Sequence, residues 1–175
     1  MYPGNYYELM AEYNQWMDVK IYDVCGGIPD AERKKDMGAF FKSIHGTLNH
    51  IYYGDRDWLE RLRDSKFTPR KLGVNIFENF EELRSAQENI DTEIIDWAKT
   101  LKPEYLNSTY DYVSNVEGFR RTLPRWVLAT HMFNHQTHHR GQVTTLIKQL
   151  GIDPGITDIP WLPCLLDKND RQIKT

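Results

Sequence analysis

The sequence predicts an all-α protein, a four-helix bundle with a short hairpin or loop insertion ahead of its last long helix. Three observations point there. Four long stretches place apolar residues at the three-and-four spacing of an amphipathic helix. Prolines punctuate the chain between those stretches rather than within them. The joining segments are short, as a bundle requires.

The first helix is expected from Tyr6 to about Cys25, with Leu9, Tyr13, Trp16, Met17, Ile21 and Val24 on its stripe, and Gly26-Gly27 and then Pro29 stopping it. Asp30 is read as the N-cap of a second helix, with Glu32 and Asp36 near its positive end. That helix is expected to run unbroken to about Asp64, burying Phe41, Ile44, Leu48, Trp58, Leu59 and Leu62. His50 falls off that face, on a line with Ser43, Gly46, Thr47, Gly54 and Asp57. Gly46 and Gly54 stand one turn before and after it. Each costs about 1 kcal/mol of helix propensity, so they open either a pocket around the imidazole or a close helix crossing.

Ser65 to Asn75 is a loop, and a third helix follows from about Asn79 to Leu101. Ser108 to Asn115 is rich in β-branched and aromatic residues and reads as a short hairpin or extended loop. Pro124 suits a helix start. The last helix then runs from Arg125 to Leu150, with Gly151 just past its end. The tail from Ile152 is expected to be extended, with a helical turn near Cys164 to Asp167.

The 175 residues fit one domain, 1–175, long enough to bury a full core. A net charge of −3 gives no reason to expect nucleic acid or an acidic membrane surface as partner. No apolar run approaches the roughly 18 residues of a membrane span, and the start of the chain lacks the regions of a signal peptide. Cys25 and Cys164 are far apart in sequence and form no CxxC pair, which fits reduced thiols and a cytoplasmic protein.

The last helix carries His131, His135, His138 and His139. At about 100° per residue, with His135 at zero, they fall near −40°, 0°, −60° and +40°, with Gln142 near −20°. Leu128 and Leu146 fall near +20° by the same measure, so this side is expected to face the core. Each buried ring nitrogen without a partner costs about 1–3 kcal/mol, and one metal ion satisfies several. His135 and His139, four apart, can reach the same ion. His50 supplies a third imidazole from the second helix. His131 and His138 are either further ligands or supporting residues.

The pattern also excludes some sites. The Glu-x-x-His pairs of di-iron bundles are missing, because Thr47, Met132 and Gln136 stand three before His50, His135 and His139. HExxH is nearly matched, but Gln136 holds the place of the general base and cannot take a proton. Three imidazoles favour zinc, nickel, cobalt or iron(II) over magnesium or calcium. They also leave a coordination position for water or substrate. Asp57 and Gln142 either orient ligands or substrate or are ordinary polar residues, and Arg140 is expected in solvent.

Glu8-Leu9-Met10-Ala11-Glu12-Tyr13-Asn14-Gln15-Trp16, Thr47-Leu48-Asn49-His50-Ile51 followed by Asp55-Arg56-Asp57-Trp58-Leu59, and His131 through Gln142 together resemble the DinB family, with its DinB-like and YfiT-like members. The last stretch is the most specific. The resemblance implies the up-down-down-up helix order, a metal on His50, His135 and His139, and a homodimer. It further implies kinship with proteins that transfer groups to or from low-molecular-weight thiols. Three readings are therefore carried forward: a metal-dependent thiol transferase or hydrolase, a non-catalytic metal-binding stress protein, and a purely structural histidine cluster.

Overall fold

The computed structural model describes residues 5–64, 73–114 and 118–166. Four long helices make a bundle: α1 (Tyr6–Gly26), α3 (Ile44–Leu62), α4 (Phe80–Lys99) and α6 (Arg125–Gln149). Two short helices, α2 (Asp30–Lys34) and α5 (Pro103–Asn107), lie in the connections, and β1 (Thr109–Val113) pairs antiparallel with β2 (Arg120–Pro124). The predicted hairpin is thus present, directly ahead of the last helix. Among the described residues, no helix is long and apolar enough to cross a membrane.

Polar contacts between the helices fix their order. Tyr7 reaches Trp126 and Asn14 reaches Arg140, so α1 and α6 run the same way. Asn14 meets Asp91 and Asp23 meets Arg84, so α4 runs against α1. Asp55 meets Gln87 and Arg63 meets Glu93, so α3 runs with α4. The result is up, down, down, up. Consecutive helices α1 and α3 occupy one diagonal of the bundle, and α4 and α6 the other.

Helix starts follow capping chemistry. Asn5, Ser43 and Asn79 each accept hydrogen bonds from the first free backbone N–H groups of α1, α3 and α4. Asp30 makes no such cap. It lies inside α2 and pairs with Arg33 and Lys34.

The expected unbroken helix from Asp30 to Asp64 is corrected. After Lys34 the backbone turns extended at Lys35, and Gly38 and Lys42 take φ of 74° and 67°. Met37 N–H donates to the Lys42 carbonyl, and Lys42 N–H to that of Ala39, both at 2.7 Å. A non-glycine residue in the left-handed region costs roughly 1–2 kcal/mol. The offset is Phe41, buried by this loop against the His50 ring with centroids 3.8 Å apart and planes 18° off parallel. Gly46 is required here too, since a Cβ on it would collide with the Phe41 carbonyl.

Most of the loop expected at Ser65 to Asn75 lies outside the described residues. The tail is extended with two single 3₁₀ turns, Ile159–Trp161 and Pro163–Leu165, the second close to the predicted place. Tyr13 donates to the Thr157 carbonyl at 2.5 Å and Leu162 is buried, which fixes the tail against the bundle.

Candidate metal centre

His50 comes from the second turn of α3, and His135 and His139 from successive turns in the middle of α6. Their Nε2 atoms converge. His50 lies 3.0 Å from His135 and 3.1 Å from His139, and the last two are 3.1 Å apart. Gly54 makes this approach possible. A Cβ there would stand 2.6 Å from His135 Cε1 and 2.8 Å from its Nδ1. Of the two roles open to the glycines flanking His50, Gly54 serves both, since it lines the cavity and lets the His135 imidazole of α6 come close, whereas Gly46 makes room for the Phe41 carbonyl of the preceding loop.

Gln142 fixes the tautomer of His139. Its Oε1 lies 2.8 Å from His139 Nδ1, so that nitrogen is the donor and Nε2 of the same neutral ring carries a lone pair. Three Nε2 atoms at mutual contact cannot all be satisfied by one another, because a neutral imidazole has a single N–H. A cation facing three lone pairs resolves this, and one face of a tetrahedron with bonds of about 2.0–2.1 Å has nitrogens a little over 3 Å apart. Burial, aided by the neighbouring imidazoles, pulls His50 down to about 3 and His135 to about 2. Burial lowers His139 as well, against the hydrogen bond that His139 donates to Gln142. The rings are therefore neutral donors at physiological pH.

The other two histidines stand apart. His131 packs against Trp58 with centroids 4.8 Å apart, and His138 accepts from Gln142 Nε2 at 3.2 Å. Both are exposed, so the expectation that all four imidazoles face the core fails for these two. The reason is angular. The buried residues Met132, Gln136, Ala129, Val143 and Ile147 centre near +90° on the wheel, and Leu128 and Leu146 mark only the edge of that face. His135 and His139 stand at its margin, where the core gives way to a cavity. Gln136, in the place of a protease base, turns into the bundle and its Nε2 meets the Ile51 carbonyl at 3.5 Å.

That cavity, of about 500 Å³, has the three imidazoles in its wall together with Phe41, Tyr53, Gly54, Asp57, Trp58, His131, His138 and Gln142. The hairpin closes the far side with Tyr112, Ser114 and Arg121. Asp57 is buried there, pushed up to about 6 by burial against the pull of Arg61, whose Nε lies 3.0 Å away. Arg61 in turn stacks near Trp58 and Tyr112. The wall is thus aromatic, with one carboxylate and guanidinium groups at fixed positions.

Sequence reasoning places His50, Gly54 and Asp57 on one line of α3, and all three do face the cavity. It misses Phe41, which was assigned to a helix face, and the hairpin residues, whose position depends on a fold-back no local pattern announces. Arg140 is also corrected. It is buried, bonded to Asn14, with Asp18 3.6 Å away.

A sequence model of the DinB family matches residues 1–170. Protein DinB of Bacillus subtilis (strain 168) is 26% identical over 158 residues, which cover 85% of this chain and 88% of that protein. The crystal structure of a DinB-like protein from Bacillus cereus superposes with a TM-score of 0.64 at 20% identity, covering 82% of this chain and 91% of that one. YfiT from Bacillus subtilis, described as a probable metal-dependent hydrolase with an unusual four-helix bundle topology, superposes with a TM-score of 0.58 at 11% identity, covering 82% and 87%. At these identities the two superpositions establish the shared fold.

Proposed function

The chain belongs to the DinB family, and from that premise we propose that it is a metal-dependent enzyme whose ion is held by His50, His135 and His139. The observation that carries this is the convergence of three neutral imidazole nitrogens in the wall of a cavity large enough for a small molecule. Nitrogen donors favour zinc or nickel, with iron or cobalt also compatible. Bound there, such an ion would lower the pKa of a thiol or water and so supply a nucleophile at neutral pH.

The chain's own residues divide the remaining work. Gln142 holds the His139 tautomer, and Phe41 holds the His50 ring plane. Asp57, a cavity carboxylate raised towards neutrality, can accept a proton from an incoming thiol or water. We favour a low-molecular-weight thiol as the partner in group transfer. Hydrolysis is the second reading, favoured by the description of YfiT. We further propose a homodimer. The free thiols Cys25 and Cys164 fit a cytoplasmic setting.

Elemental analysis of untagged protein offered zinc and nickel should give about one ion per chain, and near zero would sink the proposal. In the cobalt-substituted protein, an added low-molecular-weight thiol should change the visible spectrum. If it does not, and His50→Ala both removes the metal and melts the fold, the ion only braces the bundle and the non-catalytic reading stands. Sedimentation equilibrium tests the dimer.

A further inference from the structure

A second polar cluster lies inside the bundle, away from the cavity. Asp18 of α1, Asp55 of α3 and Asp91 of α4 are each no more than 2% exposed. One carboxylate oxygen from each lies within 4.8 Å of the others. Arg140 is the cation beside them, 3.6 Å from Asp18. Two amides supply the neutral donors. Asn14 Nδ2 donates to Asp18 and Asp91, and Gln87 Nε2 donates to Asp55 and Asp91.

The donors run out before the acceptors do. Among the described residues, eight buried side-chain nitrogen or oxygen atoms have no hydrogen-bond partner, and five belong to this place: Asp18 Oδ1, Asp55 Oδ1, Asp91 Oδ2, Gln87 Oε1 and Tyr22 Oη. Tyr22 is the independent sign. It carries no charge, is 2% exposed, stands one turn beyond Asp18 on α1, and its phenol is pushed up by burial and then by the fields of Asp18, Asp91 and Asp55. Every one of the five atoms can act as an oxygen ligand. Fully ionised, three carboxylates against one guanidinium would leave two negative charges in an interior where unpaired ions are heavily penalised, and burial accordingly raises all three carboxyls.

We infer that Asp18, Asp55 and Asp91, with Gln87 and Tyr22, form a second cation site for one hard divalent ion, magnesium, calcium or manganese(II), joining α1, α3 and α4. Oxygen donors of this kind suit hard cations and not the softer metals favoured by imidazole. A single divalent ion brings the cluster to neutrality while Arg140 remains in place. The site does not depend on the reading of the histidine cluster, since different ions and different residues serve each.

The test uses the whole chain with His50→Ala, which weakens the imidazole site, refolded from denaturant with manganese(II) and then gel-filtered, because the buried site fills as the bundle closes. Spin resonance should find one manganese per chain. Adding Asp91→Asn should abolish its retention, and Tyr22→Phe should weaken it about tenfold, in line with the loss of one supporting contact. Magnesium or calcium should compete it away. Absence of manganese in refolded His50→Ala protein of native helical content overturns the inference whatever the variants do, and assigns the balance of charge to two bound protons; should His50→Ala not refold, the same measurement on the unaltered chain with zinc added to fill the imidazole site decides in the same way. Retention unchanged in Tyr22→Phe and Asp55→Asn overturns the placement. If Asp91→Asn fails to fold, the stoichiometry and Tyr22→Phe decide.

Discussion

Two polar clusters share the same helices and meet opposite fates. α3 supplies His50 to one and Asp55 to the other, and α6 supplies His139 and Arg140. Residues five apart on a helix diverge by about 140°, and neighbours by about 100°, so each helix shows one cluster to the cavity and the other to the closed interior. The imidazole cluster is neutral and needs no counter-charge, so it can sit at an open margin and wait for a ligand. The carboxylate cluster is closed to solvent, so whatever balances it, Arg140 and the ion inferred above, must be enclosed as the bundle folds. Burial shifts both kinds of group towards their neutral forms, but for histidine this makes a metal ligand and for aspartate it makes a liability.

The largest effect that would sharpen this contrast is loss of Arg140. Arg140→Met leaves the three carboxylates without their guanidinium and should cost about 3–5 kcal/mol in urea unfolding. A change within error would break the contrast, since the interior would then be balancing its charge without arginine. Next is Gly54→Ala. The new methyl overlaps the His135 ring, so stoichiometric zinc binding should be lost, with a stability cost of about 1–3 kcal/mol from overpacking. Full zinc binding in this variant would show the imidazoles to be less tightly placed than their contacts imply. Gln142→Leu removes the acceptor that fixes the His139 tautomer and should weaken zinc about 10–100-fold while hardly moving the melting temperature.

The smallest effect is in the pH dependence of the metal-free protein, where the buried histidines and the buried aspartates act with opposite sign. His50 and His135 are lowered from 6.5 to about 3 and about 2. The unfolded chain therefore binds more protons as pH falls below 6.5, and stability is lost in that direction. Asp18 and Asp57 are raised from 3.8 to about 6. Their contribution is present below about 4 and lost as pH rises through 6. Asp57→Asn should flatten the loss on the alkaline side alone, as read from melting temperatures between pH 4 and 8. An equal change on both sides would show that Asp57 does not titrate separately from the histidines.

Much of this was legible in the sequence. The four helices announce themselves through apolar spacing, and the up-down-down-up order was implied by the family resemblance. The line of His50, Gly54 and Asp57 is visible because helical periodicity alone puts them on one side. What was not legible depends on contacts far apart in the chain. The local cues for the break at Lys35–Ser43, Gly38 with its positive φ and the Ser43 cap, are weak beside the apolar spacing that runs across them. The chain leaves the helix there to lay Phe41 on an imidazole that comes one turn into the next one. Arg140 reads as a surface cation until Asn14 and Asp18 arrive from α1, and Asp18, Asp55 and Asp91 each look like an ordinary helix acid until α1, α3 and α4 are brought together. The wheel misjudged the core side of α6 because two leucines at the rim of the apolar face were taken for its centre.

The hairpin has a consequence of its own. Its base is fastened by the Thr109–Pro124 pair and by the Arg125 N–H to the Ser108 carbonyl, while Tyr112, Ser114 and Arg121 stand on the cavity. Its length and its side chains can therefore change without moving His50, His135 or His139. The helices carry the three imidazoles and the hairpin supplies the opposite wall, so substitutions in the hairpin should reshape the cavity while leaving the imidazoles in place.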